Sequence, residues 1–151
     1  MTPRLLFRIV AIAEAVTWTL LIAGLVLRAT SGWALGVTIG GGIHGFVFLA
    51  YVGIALLVGI DRRWRPGLVV LAVASAVVPY ATIPVDVALD RRGKLDGVWR
   101  RDVDPASPDR TPLDALVRWF VRRPAALAAV FGVLLVATFA TLLALGPPGG
   151  R

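Results

Sequence analysis

The sequence contains no cysteine, no asparagine and no glutamine, and only one histidine, one glutamate and one lysine. Without cysteine there can be no disulfide, thiolate metal site or cysteine nucleophile. A single histidine excludes a multi-histidine metal cage within one chain, and neither a metal nor a cofactor is expected. Charge is also scarce. Of the 151 residues 17% are charged and 58% hydrophobic, with a mean hydropathy of +0.81, whereas a soluble domain carries about 25% charged residues. The net charge of +7 would suit nucleic acid, but the basic residues adjoin apolar runs. Anionic lipid headgroups are therefore the expected partner, and nucleic acid is not.

Crossing a bilayer core takes about 20 mostly apolar residues, and four stretches qualify. They run from about Leu5 to Leu27, Leu35 to Ile60, Gly67 to Leu89 and Ala125 to Leu145. The expected fold is an all-α, polytopic membrane helical bundle with four transmembrane helices, the third kinked by Pro79 and Pro84. The first stretch is too long for a cleaved signal peptide, carries Glu14 and lacks a clear small-residue cleavage site. Short connections, "RATSGW" and "DRRWRP", make the first three stretches antiparallel neighbours, with Trp33 and Trp64 at the interfaces. The chain divides into residues 1–92, a basic insert over 93–124 and a last span with its tail over 125–151.

The insert has a Pro- and Asp-rich middle, "DVDPASPDRTP", and ends in "LDALVRWFVRR". There Leu113, Leu116, Val117 and Phe120 share one helical face, with Arg118 and Arg122 elsewhere. Such a basic amphipathic turn either lies on the lipid surface, with Arg118, Arg122 and Arg123 on headgroups, or simply extends the fourth span. Orientation is frustrated. Three full spans would place the insert opposite "DRRWRP", and its arginines favour a cytoplasmic insert with outward termini. Arg4 and Arg8 argue the other way. A third segment that re-enters at its prolines would remove the conflict.

Titratable groups inside a span are costly and usually face the bundle interior. By helical rise, His44 lies about 13 Å from the "RATSGW" surface, with Trp18 and Tyr80 at about 14 Å. Glu14 lies about one turn deeper and Asp86 one to two turns nearer that surface. Glu14, Trp18, His44, Tyr80 and Asp86 can thus form one interior polar layer, and Asp86, beside Arg91 and Arg92, is expected to pair with an arginine. Gly36 and Gly40, and again Gly41 and Gly45, have the small-xxx-small spacing that lets helices approach closely. Glu14 and His44 read either as a structural lock between two helices or as a proton-titrating or ligand site.

Three segments carry a family resemblance: "AEAVTW", "GIHGFVFLAYV" and "VVPYATIPVD". In this order they resemble the bacterial integral membrane HG family, named for its His-Gly pair and classed as a domain of unknown function. The resemblance covers about Arg4 to Arg92 and implies a bacterial plasma-membrane location, three spans, and signature positions at Glu14, His44, Gly45, Pro79 and Asp86. The chain departs from the pattern in having "PYAT" where a Pro-Phe-Gly-Thr sequence is usual, and in its added insert and fourth span. The family implies no chemistry. No Ser/His/Asp set, usable carboxylate pair or metal motif points to an enzyme, and "GVTIGGG" lacks the context of a phosphate loop. The leading expectation is a binding or assembly protein with an internal Glu14–His44 lock, packing on itself or on another membrane protein. The alternative is a small transporter or proton-relay component that uses the same pair.

Overall fold

The computed structural model describes residues 1–102 and 111–145 and is helical, with no strand among those residues. The elements are α1 (Pro3–Ser31), α2 (Leu35–Asp61), α3 (Pro66–Ser75), α4 (Thr82–Arg91), α5 (Pro112–Val121) and α6 (Pro124–Leu145). Local chemistry sets the ends. The Thr2 hydroxyl accepts from Leu5 N ahead of Pro3, and Gly32, at φ 72°, closes α1 with its N–H on the Arg28 carbonyl. Thr111 and Asp114 form a reciprocal capping box at the start of α5. The middle of the insert (103–110) and the tail (146–151), with Arg110 and Arg151, lie outside the described residues.

Helices α1, α2 and α6 are long and apolar enough to cross a membrane. The first two form an antiparallel pair, and the closeness of that pair is written in glycine. A Cβ on Gly24 would lie 2.5 Å from the Gly36 carbonyl oxygen, and one on Gly40 would lie 2.9 Å from that of Leu20. Only residues without side chains allow the two backbones this near. Between the pair's other halves lies the main apolar core, with Phe7, Tyr51, Val58 and Trp64 buried together. The Phe7 ring sits 5.5 Å from Tyr51 and 5.8 Å from Trp64.

The third apolar stretch differs from the kinked single span expected of it. It is two ten-residue helices, α3 and α4, each rising about 15 Å, half of the roughly 30 Å hydrocarbon core. Contacts with α1 and α2 fix the direction of each. Going up α3, the Ala72 carbonyl meets the Tyr51 hydroxyl at 3.1 Å, and the Ala76 carbonyl takes the Trp18 indole N–H at 3.2 Å. Coming back along α4, Thr82 donates to the Ala11 carbonyl at 3.0 Å, and Asp86 and Asp90 meet Arg8 at 2.9 and 2.7 Å. The chain therefore turns round at residues 76–81 and returns to the end it left. Pro79 lies in that turn, where its missing N–H stops α3. Pro84 lies in the first turn of α4, where no N–H is needed. Tyr80 takes up the reversal at φ 64°, a left-handed conformation that costs an ordinary residue about 1–2 kcal/mol.

The insert consequently starts at the end that carries Arg62–Arg65, not at the opposite end that three full spans would require. Its first residues dock there. Trp64 donates to the Lys94 carbonyl at 3.0 Å, Trp99 to the Met1 carbonyl at 2.9 Å, and Arg100 to the Asp61 carbonyl at 2.5 Å. Arg62 donates to the Asp96 and Val98 carbonyls. Helix α5 is separate from α6, because the chain breaks at Arg122–Arg123 before Pro124. It buries Val117 and Val121 and leaves Leu113, Leu116 and Trp119 exposed. Helix α6 then runs back along α2, with Phe131 against Gly53 and Phe139 against Gly45. Among the described residues every lysine and arginine except Arg28 lies at one end of the bundle.

Candidate functional site

Ala11, Glu14 and Trp18 follow one another at helical spacing on one face of α1. Ala11 and Trp18 both bond to the α3–α4 hairpin, so the Glu14 between them faces the same interior. Glu14 is fully buried and His44 8% exposed. His44 Nδ1 lies 3.8 Å from Glu14 Oε2, too far for a hydrogen bond. Its bonded partner is the Thr17 hydroxyl at 3.1 Å, which in turn reaches the Glu14 carbonyl oxygen at 3.0 Å. A hydroxyl has one hydrogen. With that hydrogen on the carbonyl, Nδ1 of His44 is the donor to Thr17, and Nε2 is left as an acceptor.

The two helices are therefore joined at His44 through Thr17 and the α1 backbone, not through the Glu14 carboxylate. Neither carboxylate oxygen of Glu14 has a hydrogen-bond partner among the described residues. Asp61, Asp86 and Asp114, the other buried carboxylates described, each accept at least one hydrogen bond.

The remaining residues singled out from the sequence spread along the bundle. The Trp18 ring lies tilted against His44 at 4.4 Å between ring centroids, and that of Phe48 at 6.3 Å. Tyr80 reaches the same level, but its hydroxyl meets Thr19 at 3.3 Å on an exposed face. Asp86 sits nearer the arginine-rich end, paired with Arg8. Gly36 and Gly40 line the α1–α2 contact. At Gly41 and Gly45 a Cβ would meet only side chains, at 3.8 and 3.6 Å. On α5, the Arg123 guanidinium lies over the Trp119 ring at 4.4 Å, and Arg122 is exposed.

Several residues of the interior went unnoticed in the sequence. Thr17, Tyr51, Ser75 and Thr82 are buried hydroxyls of the polar layer, and in an apolar run each reads as an ordinary helix residue. Thr17 had one signal, its position three residues from Glu14 on the same face. Gly24 lacked the spaced glycine partner that drew attention to Gly36 and Gly40. Among the described residues no group of three or more His, Cys, Asp or Glu side chains could hold a metal ion.

Residues 5–91, the α1–α4 unit that carries all of these groups except α5, match a family described as a domain of unknown function (DUF3817). The chain belongs to that family. The description carries no His-Gly label, so the DUF3817 match supports a family of unknown function and not the name that the motifs suggested. A segment of 98 residues is also 41% identical to a Streptomyces coelicolor protein named "Putative membrane protein SCO5905". That segment is 62% of this chain but 12% of the relative's length. No solved structure matches the chain. With its apolar helices, this DUF3817 chain is a bacterial membrane protein of unknown biochemical function.

Proposed function

We propose that the chain is a multi-pass protein of the bacterial plasma membrane that works as a binding and assembly module for another membrane protein. The observation that carries this reading is the relative, in which a 41% identical segment makes up 12% of a much longer chain. A unit that occurs covalently joined to a larger membrane polypeptide is suited to associate with one when it is separate. The Gly24–Gly36 contact and the His44–Thr17 bond would keep α1 and α2 rigid for that purpose. Helix α6, apolar and with no buried residue, offers a surface for lipid or for a partner helix. Anionic headgroups at Arg118, Arg122 and Arg123 would hold α5 to the membrane surface.

The test uses the relative itself. Its matched segment is deleted, and the shortened protein is co-expressed with this chain and purified in mild detergent; the relative's own excised segment serves as the positive control. Co-purification of this chain is expected. Recovery of the excised segment without this chain, or of neither, counts against the assembly reading. The alternative, a proton-relay component, is favoured by one feature, the unbonded Glu14 carboxylate.

A further inference from the structure

We infer that Glu14 is a proton-binding site reached from the arginine-rich end along the seam between α1 and α4. This goes beyond the assembly reading and does not rest on it. A carboxylate in a membrane interior needs hydrogen bonds, a cation or a proton. Glu14 has no hydrogen bond to either oxygen and is fully buried. The cation-forming group beside it is His44, at 3.8 Å. One added proton leaves the two as carboxylic acid with neutral imidazole or, if it is taken up at His44 Nε2, as carboxylate with imidazolium, and both arrangements are neutral overall. The site therefore stores one proton at the pair without leaving a net charge in the hydrocarbon.

A polar path leads to it from one end. Thr82, Asp86 and Asp90 recur every four residues on α4 and so form one stripe. That stripe lies against α1, with Asp90 on Arg4 at 2.6 Å, Asp86 on Arg8 at 2.9 Å and Thr82 on the Ala11 carbonyl at 3.0 Å. Glu14 is the next α1 position on this face, about 4.5 Å of helical rise beyond Ala11. Asp86 keeps one buried oxygen without a hydrogen bond, a free acceptor part-way along the stripe. Tyr51 from α2 and Ser75 from α3 add hydroxyls that contact one another at 3.1 Å.

Towards the other end ring and backbone contacts take the place of this polar stripe. Trp18 covers His44, and beyond it the backbones meet at Gly40–Leu20 and Gly24–Gly36. The titratable groups on the elements around Glu14 are thus Arg8 on α1, His44 and Tyr51 on α2 and Asp86 on α4. Helix α3 contributes Ser75 but no titratable side chain, and Tyr80 in the turn bonds away to Thr19.

Infrared difference spectroscopy on the full chain in lipid bilayers tests the site. As pH falls, a protonated-carboxyl C=O band is expected to appear, to be lost in Glu14→Gln and to persist in Asp86→Asn. After a rapid pH drop, Asp86→Asn should form the band several-fold more slowly than the unaltered chain, and Asp86→Glu should restore the rate. No pH-dependent band, or one that survives Glu14→Gln, would overturn the proton site. An unchanged rate in Asp86→Asn would overturn the path. Carboxylate bands that respond to sodium at fixed pH, but not to pH, would mean that the site holds a metal cation instead.

Discussion

At the residue scale the bundle depends on positions where there is no side chain. An added methyl on Gly24 would face the Gly36 carbonyl oxygen and carbon at 2.5 and 2.7 Å and the Val37 nitrogen at 2.9 Å. These are backbone atoms and cannot swing aside. Gly24→Ala should therefore lower stability by about 1–3 kcal/mol, the usual cost of overpacking, seen as a reduced melting temperature in detergent. Gly41→Ala, where the methyl would meet Leu21 Cδ1 at 3.8 Å, should melt close to the unaltered chain. If Gly41→Ala were the more damaging of the two, the helices would not pack as described. The same scale shows what the sequence could reveal of the site. Glu14 and His44 were legible because a lone carboxyl and a lone imidazole stand out in apolar runs. The link between them was not, because Thr17 is one threonine among several and its hydroxyl direction depends on the packed helices.

At the scale of elements the α3–α4 hairpin decides the architecture, and electrostatics at its return hold it to α1. Asp90 lies 2.6 Å from Arg4 and 2.7 Å from Arg8. The ion pair with Arg4, followed by the hydrogen bond from Arg8, holds its carboxyl below the ordinary carboxylate value. A carboxyl whose folded value lies below its unfolded value stabilises the fold above the unfolded value. That contribution is lost as pH falls through the folded one. Thermal melts in detergent should therefore show the unaltered chain losing stability on acidification below about pH 4 more steeply than Asp90→Asn, which has no carboxyl there to protonate. Parallel acid limbs for the two would mean that the α1–α4 pairing does not form. The hairpin was only half legible. Pro79 and Pro84 marked an interruption, but hydropathy has no direction, and two short apolar helices around a turn have the same profile as one kinked span. The clue lay in charge, since Arg4 and Arg8 conflicted with the insert's arginines for as long as the third stretch was taken to cross.

At the scale of the whole molecule the hairpin removes that conflict. With N-terminus, α2–α3 turn and insert at one end, the described basic residues except Arg28 gather on one side, as the positive-inside rule requires of a cytoplasmic face. The helical class and the antiparallel order of α1 and α2 could be read from run lengths and the short connection, but the number of long apolar helices, three among the described residues where four were expected, could not. The side on which the insert emerges could not, because it depends on tertiary contacts between α4 and α1. Since the chain has no cysteine, single cysteines report position without interference from native thiols. Arg65→Cys, Lys94→Cys and Ser31→Cys each alter an exposed residue and can be treated with a membrane-impermeant maleimide on intact cells and again after lysis. The re-entrant hairpin predicts that Arg65→Cys and Lys94→Cys both stay unlabelled until lysis, while Ser31→Cys is labelled from outside. Labelling of Lys94→Cys on the same face as Ser31→Cys, with Arg65→Cys on the other, would contradict it.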